Sequence, residues 1–104
     1  MDITVKNIGQ NSLYVEADGR LDLDGAVEYG TKIKNMIEDS PEVIKEVTLD
    51  FAKITFISSF GLKVVLELYK QLKEQEGSLK LKNVPVGVMS SFRLVGFDKF
   101  LIFE

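Results

Sequence analysis

The sequence predicts an α/β domain whose mixed β-sheet opens with an N-terminal antiparallel hairpin, continues in right-handed βαβ units and is covered by α-helices. Three observations predict it. Two β-rich runs near the start are separated by the turn formers Asn7, Gly9 and Asn11. Later stretches carry apolar residues at helical spacing. Between them Val47-Thr48-Leu49-Asp50-Phe51 is short, β-branched and bounded by polar residues, as suits a central strand.

The elements follow in order. Ile3-Thr4-Val5 and Leu13 to Ala17 form the hairpin, and Gly19 to Leu23 continues it as a strand end or loop. Asp24 is placed to cap a helix in which Ala26, Tyr29, Ile33, Met36 and Ile37 recur, with Pro41 as its stop. After the Val47–Phe51 strand and a short connection, Ser59 to about Gln75 is the best helix in the chain. Its apolar stripe is Leu62, Val65, Leu66, Tyr69 and Leu72, opposite Lys63, Glu67, Lys70 and Glu74. Gly77 ends that helix, and Leu79-Lys80-Leu81 alternates like a strand. Pro85 suits the first turn of a third helix carrying Met89, Phe92 and Val95, with Gly96 as its stop; Phe100 to Phe103 is a last strand. The order is ββαβαβαβ. Parallel pairing is expected in the later half, because strand–helix–strand crossovers take the right-handed path.

At 104 residues the chain is sized for one domain, residues 1–104, with a core that needs no staples. Without cysteine it has no disulfide and no thiolate chemistry, and without histidine it lacks the commonest general base and neutral metal ligand. Thirteen basic residues against sixteen acidic ones leave a net charge of −3, which argues against nucleic-acid binding. No apolar run reaches the ~20 residues needed to span a bilayer. The start of the chain lacks a signal-peptide layout, so a cytoplasmic protein is expected.

The stretch that carries chemistry is Phe56-Ile57-Ser58-Ser59-Phe60-Gly61-Leu62. It sets two hydroxyls where a helix begins, where backbone N–H groups lack partners and the dipole is positive. One reading makes a serine an N-cap and nothing more. The other makes it a phosphorylation switch, adding roughly −1.5 to −2 of charge to a helix end that tolerates it. Phe60, Val64 and Leu68 form a second stripe, with Leu68 bordering the core and Phe60 pointing most nearly outward. Either a neighbouring element covers it or it anchors a partner. Asp22 and Asp24 read as one cap and one solvated acid, with no third ligand for a metal. Gly61 is placed for close packing of the helix start on the sheet, since the glycines compose no phosphate loop. No nucleophile–base pair or carboxylate dyad is present, so the chain is not read as an enzyme, and no cofactor is expected.

Leu49-Asp50-Phe51, the serine segment, Leu66 and Tyr69-Lys70 together resemble the signature of the STAS domain of anti-sigma factor antagonists. The similarity continues in Gly19-Arg20-Leu21-Asp22, in Gly77 with Leu79 to Asn83 and Pro85, and in Leu94 to Phe100, and so covers nearly the whole chain. The resemblance implies a single-domain STAS-like fold that binds an anti-sigma factor, itself a serine kinase, and thereby regulates sigma-factor-dependent transcription by partner switching. It implies Ser59 as the phosphoacceptor, ahead of Ser58, with a PP2C-type phosphatase reversing the modification. The contact surface it implies comprises Asp22, Asp24, Gly25, Ser58, Phe60, Lys63 and Val64. The chain departs from the motif in three places. Ser58 stands for its aspartate, Phe60 for its small residue, and Lys63 for a frequent glycine. These departures point to the alternative, a constitutive non-phosphorylated scaffold subunit of a transport or stress-signalling assembly. Many relatives carry a further C-terminal helix beyond the position of Glu104, so the resemblance implies an expectation of apolar surface available to a partner or a homodimer.

Overall fold

The computed structural model describes residues 1–104. Strand β1 (Asp2–Gly9) pairs antiparallel with β2 (Ser12–Leu21), and β3 (Glu46–Ile57), β4 (Ser78–Lys82) and β5 (Ile102–Phe103) add in parallel, in the spatial order β1-β2-β3-β4-β5. Helix α1 (Leu23–Asp39) connects β2 to β3, α2 (Ser59–Glu74) connects β3 to β4, and α3 (Val86–Leu94) precedes a 3-10 turn at Phe97–Lys99 and β5. Successive crossovers of one hand, each stepping to the next strand, put the helices on one face. That face holds the core, in which Leu13, Val15, Leu49, Phe51, Leu79 and Leu81 of the sheet meet Tyr29, Ile33, Val65, Leu72 and Phe92 of the helices. The other face is polar and open, with cross-strand pairs such as Lys6–Glu16 at 2.7 Å.

The expected order of elements is the observed one, with several corrections of detail. Strand β3 is longer than Val47–Phe51 and includes the segment read as a connection. Its pairing with β2 shifts register after Glu16 and again after Gly19, so the buried residues run Phe51, Ile54, Ile57 at intervals of three rather than two. The cap of α1 is Asp22, not Asp24. Asp22 is extended and its Oδ1 accepts the Gly25 N–H at 2.9 Å, whereas Asp24 already lies inside the first turn, where its charge favours the helix dipole. The stripe of α2 is centred on Gly61, Val65, Leu68 and Leu72, with Leu62, Leu66 and Tyr69 half-buried, because α2 packs on α1 as well as on the sheet. Met36 and Val95 are exposed, and Pro85 is the N-cap of α3 rather than part of its first turn.

The end of α2 also differs from expectation. The left-handed residue there is Glu76, at φ 58°, and Gly77 follows it with its N–H on the Leu72 carbonyl at 2.7 Å. Gly77 serves the approach of the chain to β3, since a Cβ there would lie 2.6 Å from the Lys45 carbonyl oxygen. Gly96, in the left-handed region at φ 79°, stops α3 as the sequence predicts.

Candidate functional site: the paired helix starts at the end of the sheet

Strands β2 and β3 are parallel neighbours and finish in register, Leu21 beside Ile57. The next residues, Asp22 and Ser58, are the N-caps of α1 and α2, so two helix N-termini open side by side. Ser58 ties them together. Its N–H donates to the Leu21 carbonyl at 2.9 Å, its hydroxyl donates to the same oxygen at 2.7 Å, and its Oγ accepts the Gly61 N–H at 3.2 Å. Gly61 makes this closeness feasible. A Cβ there would stand 2.7 Å from Ile57 Cγ1 and 3.0 Å from Leu21 Cβ, as the expected tight approach of helix to sheet requires.

The two serines are therefore unequal. The Ser58 hydroxyl is half-buried, with its proton directed at Leu21 and a lone pair at Gly61. Ser59 is exposed at the first helical position of α2. A phosphate placed on Ser59 meets the unsatisfied N–H groups and positive dipole end of α2 without displacing any bond that holds the sheet to the helix.

Phe60 is 51% exposed beside Ser59, and Lys63 is exposed one turn on. Val64 is half-buried in the seam with α1, where helices approach so closely that a Cβ on Gly30 would lie 2.8 Å from Val64 Cγ1. Asp22 and Asp24 are exposed at the start of α1. Gly25 is the one predicted contact residue that the structure removes from the surface. It is buried, and a Cβ there would fall 2.0 Å from the Arg20 carbonyl oxygen, so its role is to let α1 start against β2.

Sequence reading passed over three apolar residues at this end of the molecule. Leu23 and Val27, at i and i+4 on α1, are 51% and 58% exposed, and Phe56 is 38% exposed with the Arg20 guanidinium 4.3 Å above its ring centre. Their signal was present: Leu23 and Val27 fall off the Ala26–Tyr29–Ile33 stripe as Phe60 falls off that of α2.

Asp50, which leads into the serine segment in sequence, belongs to the opposite, polar face. It accepts the Tyr14 hydroxyl at 2.6 Å, the Ala52 N–H at 2.9 Å and the Asn83 amide at 3.3 Å. Partial burial acts to raise this carboxyl, but those three donors and the nearby Lys82 charge hold it below the usual carboxylate range. The same bond to Asp50, with some burial, pushes the Tyr14 phenol up to about 12. This network braces β2, β3 and the end of β4, and it does not reach the serines.

Comparison with known proteins agrees with this architecture. BtrV of Bordetella bronchiseptica, a protein named as an anti-sigma factor antagonist, is 40% identical over 53 residues, 51% of this chain and 46% of that protein. The matched segment thus spans about half the length of the curated relative. The anti-sigma factor antagonist SpoIIAA, a Bacillus cell fate determinant, superposes in its unphosphorylated form with a TM-score of 0.77 at 16% identity, covering 99% of this chain and 87% of SpoIIAA; its phosphorylated form gives 0.76 at 17%, covering 99% and 91%. An anti-sigma factor antagonist from Mycobacterium paratuberculosis gives 0.82 at 22% identity, covering 98% and 83%. These structures share the fold. The family model described as Mlab, STAS domain, matches residues 5–103, nearly the whole sequence. The chain belongs to the STAS domain family.

Proposed function

We propose that this protein is a cytoplasmic anti-sigma factor antagonist that binds an anti-sigma factor with serine kinase activity and is switched off by phosphorylation of Ser59. The observation that carries the reading is the division of labour between the serines. Ser59 alone offers an exposed hydroxyl at the helix start, and it sits next to Phe60, an exposed aromatic of the kind that anchors interfaces. A phosphate there adds roughly −1.5 to −2 of charge beside that anchor, so release of the partner follows from a spoiled surface rather than from unfolding. Asp22, Asp24, Lys63 and Val64 complete the contact face, while Ser58 and Gly25 hold it in shape. The domain needs no cofactor; any ATP belongs to the partner, and a PP2C-type phosphatase resets the switch. The test is incubation with the cognate kinase and ATP, followed by mass spectrometry of the wild type and Ser59→Ala. Equal phosphate incorporation in both would eliminate Ser59 as the acceptor.

One observation favours a second reading, a constitutive scaffold subunit of a transport or stress-signalling assembly. Where the switching motif has an aspartate, Ser58 gives its proton to a backbone carbonyl and leaves no carboxylate beside Ser59. Recovery of a kinase or of transporter subunits with the purified protein separates the two readings.

A further inference from the structure

Strand β1 is one edge of the sheet, and no strand lies along its outer side. The Lys32 ammonium of α1 donates to the Ile3 carbonyl at 3.0 Å, so that carbonyl faces the edge. In an antiparallel ladder the N–H and C=O of one residue point the same way and alternate along the strand. Ile3, Val5 and Asn7 therefore turn their backbone groups outward, while Asp2, Thr4 and Lys6 bond to β2. Side chains alternate between the faces. Ile3 and Val5 pack half-buried against the core, and Asp2, Thr4 and Lys6 stand exposed on the open face.

The charges there are incompletely matched. Asp2 lies directly across from Asp18, and neither has an ion pair. Like charges in that position destabilise a sheet. Lys6 is bonded to Glu16 at 2.7 Å and remains exposed. Asp2 and Lys6 stand equally far on either side of Thr4, so the segment complements itself when turned end for end.

We infer that β1 joins two copies of this chain, antiparallel about a two-fold axis at Thr4, into one continuous sheet. Outward backbone groups must meet outward groups, so Ile3, Val5 and Asn7 pair only among themselves. Among the two-fold registers this allows, centring on Asp2 or on Lys6 sets like charges face to face. Centring on Ile3 or Val5 sets Asp2 against Thr4 or Ile8. Centring on Thr4 sets Asp2 against Lys6 of the second copy and Ile3 against its Val5, and it ends before the irregularity between Asn7 and Gly9. Symmetry is what selects a second copy over an unrelated strand: this chain carries the cation at the position where its own Asp2 lacks one. Lys6 of the second copy relieves the Asp2–Asp18 pair while keeping Glu16 of its own chain, and the Ile3 carbonyl exchanges Lys32 for a backbone N–H. Met36, one turn beyond Lys32 on the same side of α1 and 38% exposed, comes to lie beside the join. The interface is closed, and it points the helix starts of the two copies in opposite directions. Both Ser59 sites stay open, so the dimer is bivalent toward a partner.

Sedimentation velocity over a range of protein concentrations tests the association, and charge exchange tests the register. The wild type is expected to dimerise reversibly, more weakly as salt rises. Asp2→Lys weakens the dimer roughly tenfold or more by setting lysines face to face. Asp2→Lys with Lys6→Asp restores it, with circular dichroism confirming that each variant is folded. The chain has no cysteine of its own, so single cysteines report the geometry directly. Thr4→Cys faces itself across the axis, in the closer kind of antiparallel pair, and is expected to oxidise to a covalent dimer. Lys6→Cys does not link to itself but links to Asp2→Cys when the two variants are mixed. A wild type that stays monomeric at every concentration, a dimer indifferent to Asp2→Lys, no rescue by the double exchange, or Lys6→Cys linking to itself as readily as Thr4→Cys would overturn the inference. None of these readouts involves phosphorylation of Ser59, so the switch and the dimer stand or fall separately.

Discussion

Replacing Ser58 by alanine tests the central claim about the site, that this hydroxyl is structural and that of Ser59 is not. Two interactions are lost. The N-cap bond to the Gly61 N–H, 3.2 Å long, is worth about 1 kcal/mol. The 2.7 Å bond to the Leu21 carbonyl adds a net ~0.5–1.5 kcal/mol. The carbonyl itself is not orphaned, because the Ser58 N–H still donates to it at 2.9 Å, so the larger desolvation penalty is avoided. The sum is about 2 kcal/mol, or roughly 8–16 °C in Tm for a domain of this size. Ser59→Ala removes an exposed group and stays within about 0.5 kcal/mol of the wild type. Ser58→Asp, which restores the acid of the switching motif, keeps an acceptor for Gly61 and gains at the helix dipole, but sets a carboxylate oxygen against the Leu21 carbonyl. It falls between the two, at about 1 kcal/mol. Urea unfolding followed by circular dichroism, compared at constant m, reads all three. If Ser58→Ala costs no more than Ser59→Ala, the assignment of roles to the two serines is wrong.

Gly25→Ala drives a methyl group to 2.0 Å from the Arg20 carbonyl, a backbone atom that cannot step aside; a loss of more than about 3 kcal/mol in urea unfolding, or failure to fold, is expected. Tyr29 is wholly buried with a hydroxyl that has no partner, so Tyr29→Phe is expected to leave stability unchanged or raise it by up to about 1 kcal/mol, read as Tm. The Asp50 carboxyl titrates below its ordinary value, so its contribution is full above the unfolded value and is lost as pH falls through the lowered one. Tyr14, raised to about 12, contributes fully below about pH 10 and loses that contribution as pH rises through about 12. Asp50→Asn should flatten the acid limb of the stability profile and let the Tyr14 ring titrate earlier, followed by carbon-13 NMR; an unmoved Tyr14 titration refutes the coupling.

Much of the fold was legible because local rules agreed along the chain. The turn at Asn7–Asn11, the helical spacing of Tyr29, Ile33 and Ile37, the pre-proline stop at Ser40 and the glycine stop at Gly96 each had a single reasonable outcome. The errors came where two elements share a burden. Leu68 is buried by α1, a contact no helical wheel of α2 contains. Met36 has the right spacing and lies just beyond the area its neighbours cover. The second half of β3 was invisible because its shifts of register against β2 break the alternation on which strand reading depends. At the site, Phe60 outward and Val64 further in followed from angle alone, whereas the exposure of Leu23 and Val27 depends on what stands opposite α1.

By itself the sequence determined the order of elements, the family resemblance and the presence of hydroxyls at a helix start, since these follow from patterns within a few residues of one another. Only the tertiary structure decided which serine is free and what surrounds it. Ser58 is occupied because Leu21, 37 residues earlier, ends its strand in register with Ile57 and presents a carbonyl to it. Gly25 is buried because the start of α1 lies against the backbone carbonyl of Arg20 at the end of β2, and the acids of β1, β2 and α1 share one rim because the hairpin folds beside the first crossover. Sheet register brings distant residues within hydrogen-bonding reach, and no local pattern encodes that distance.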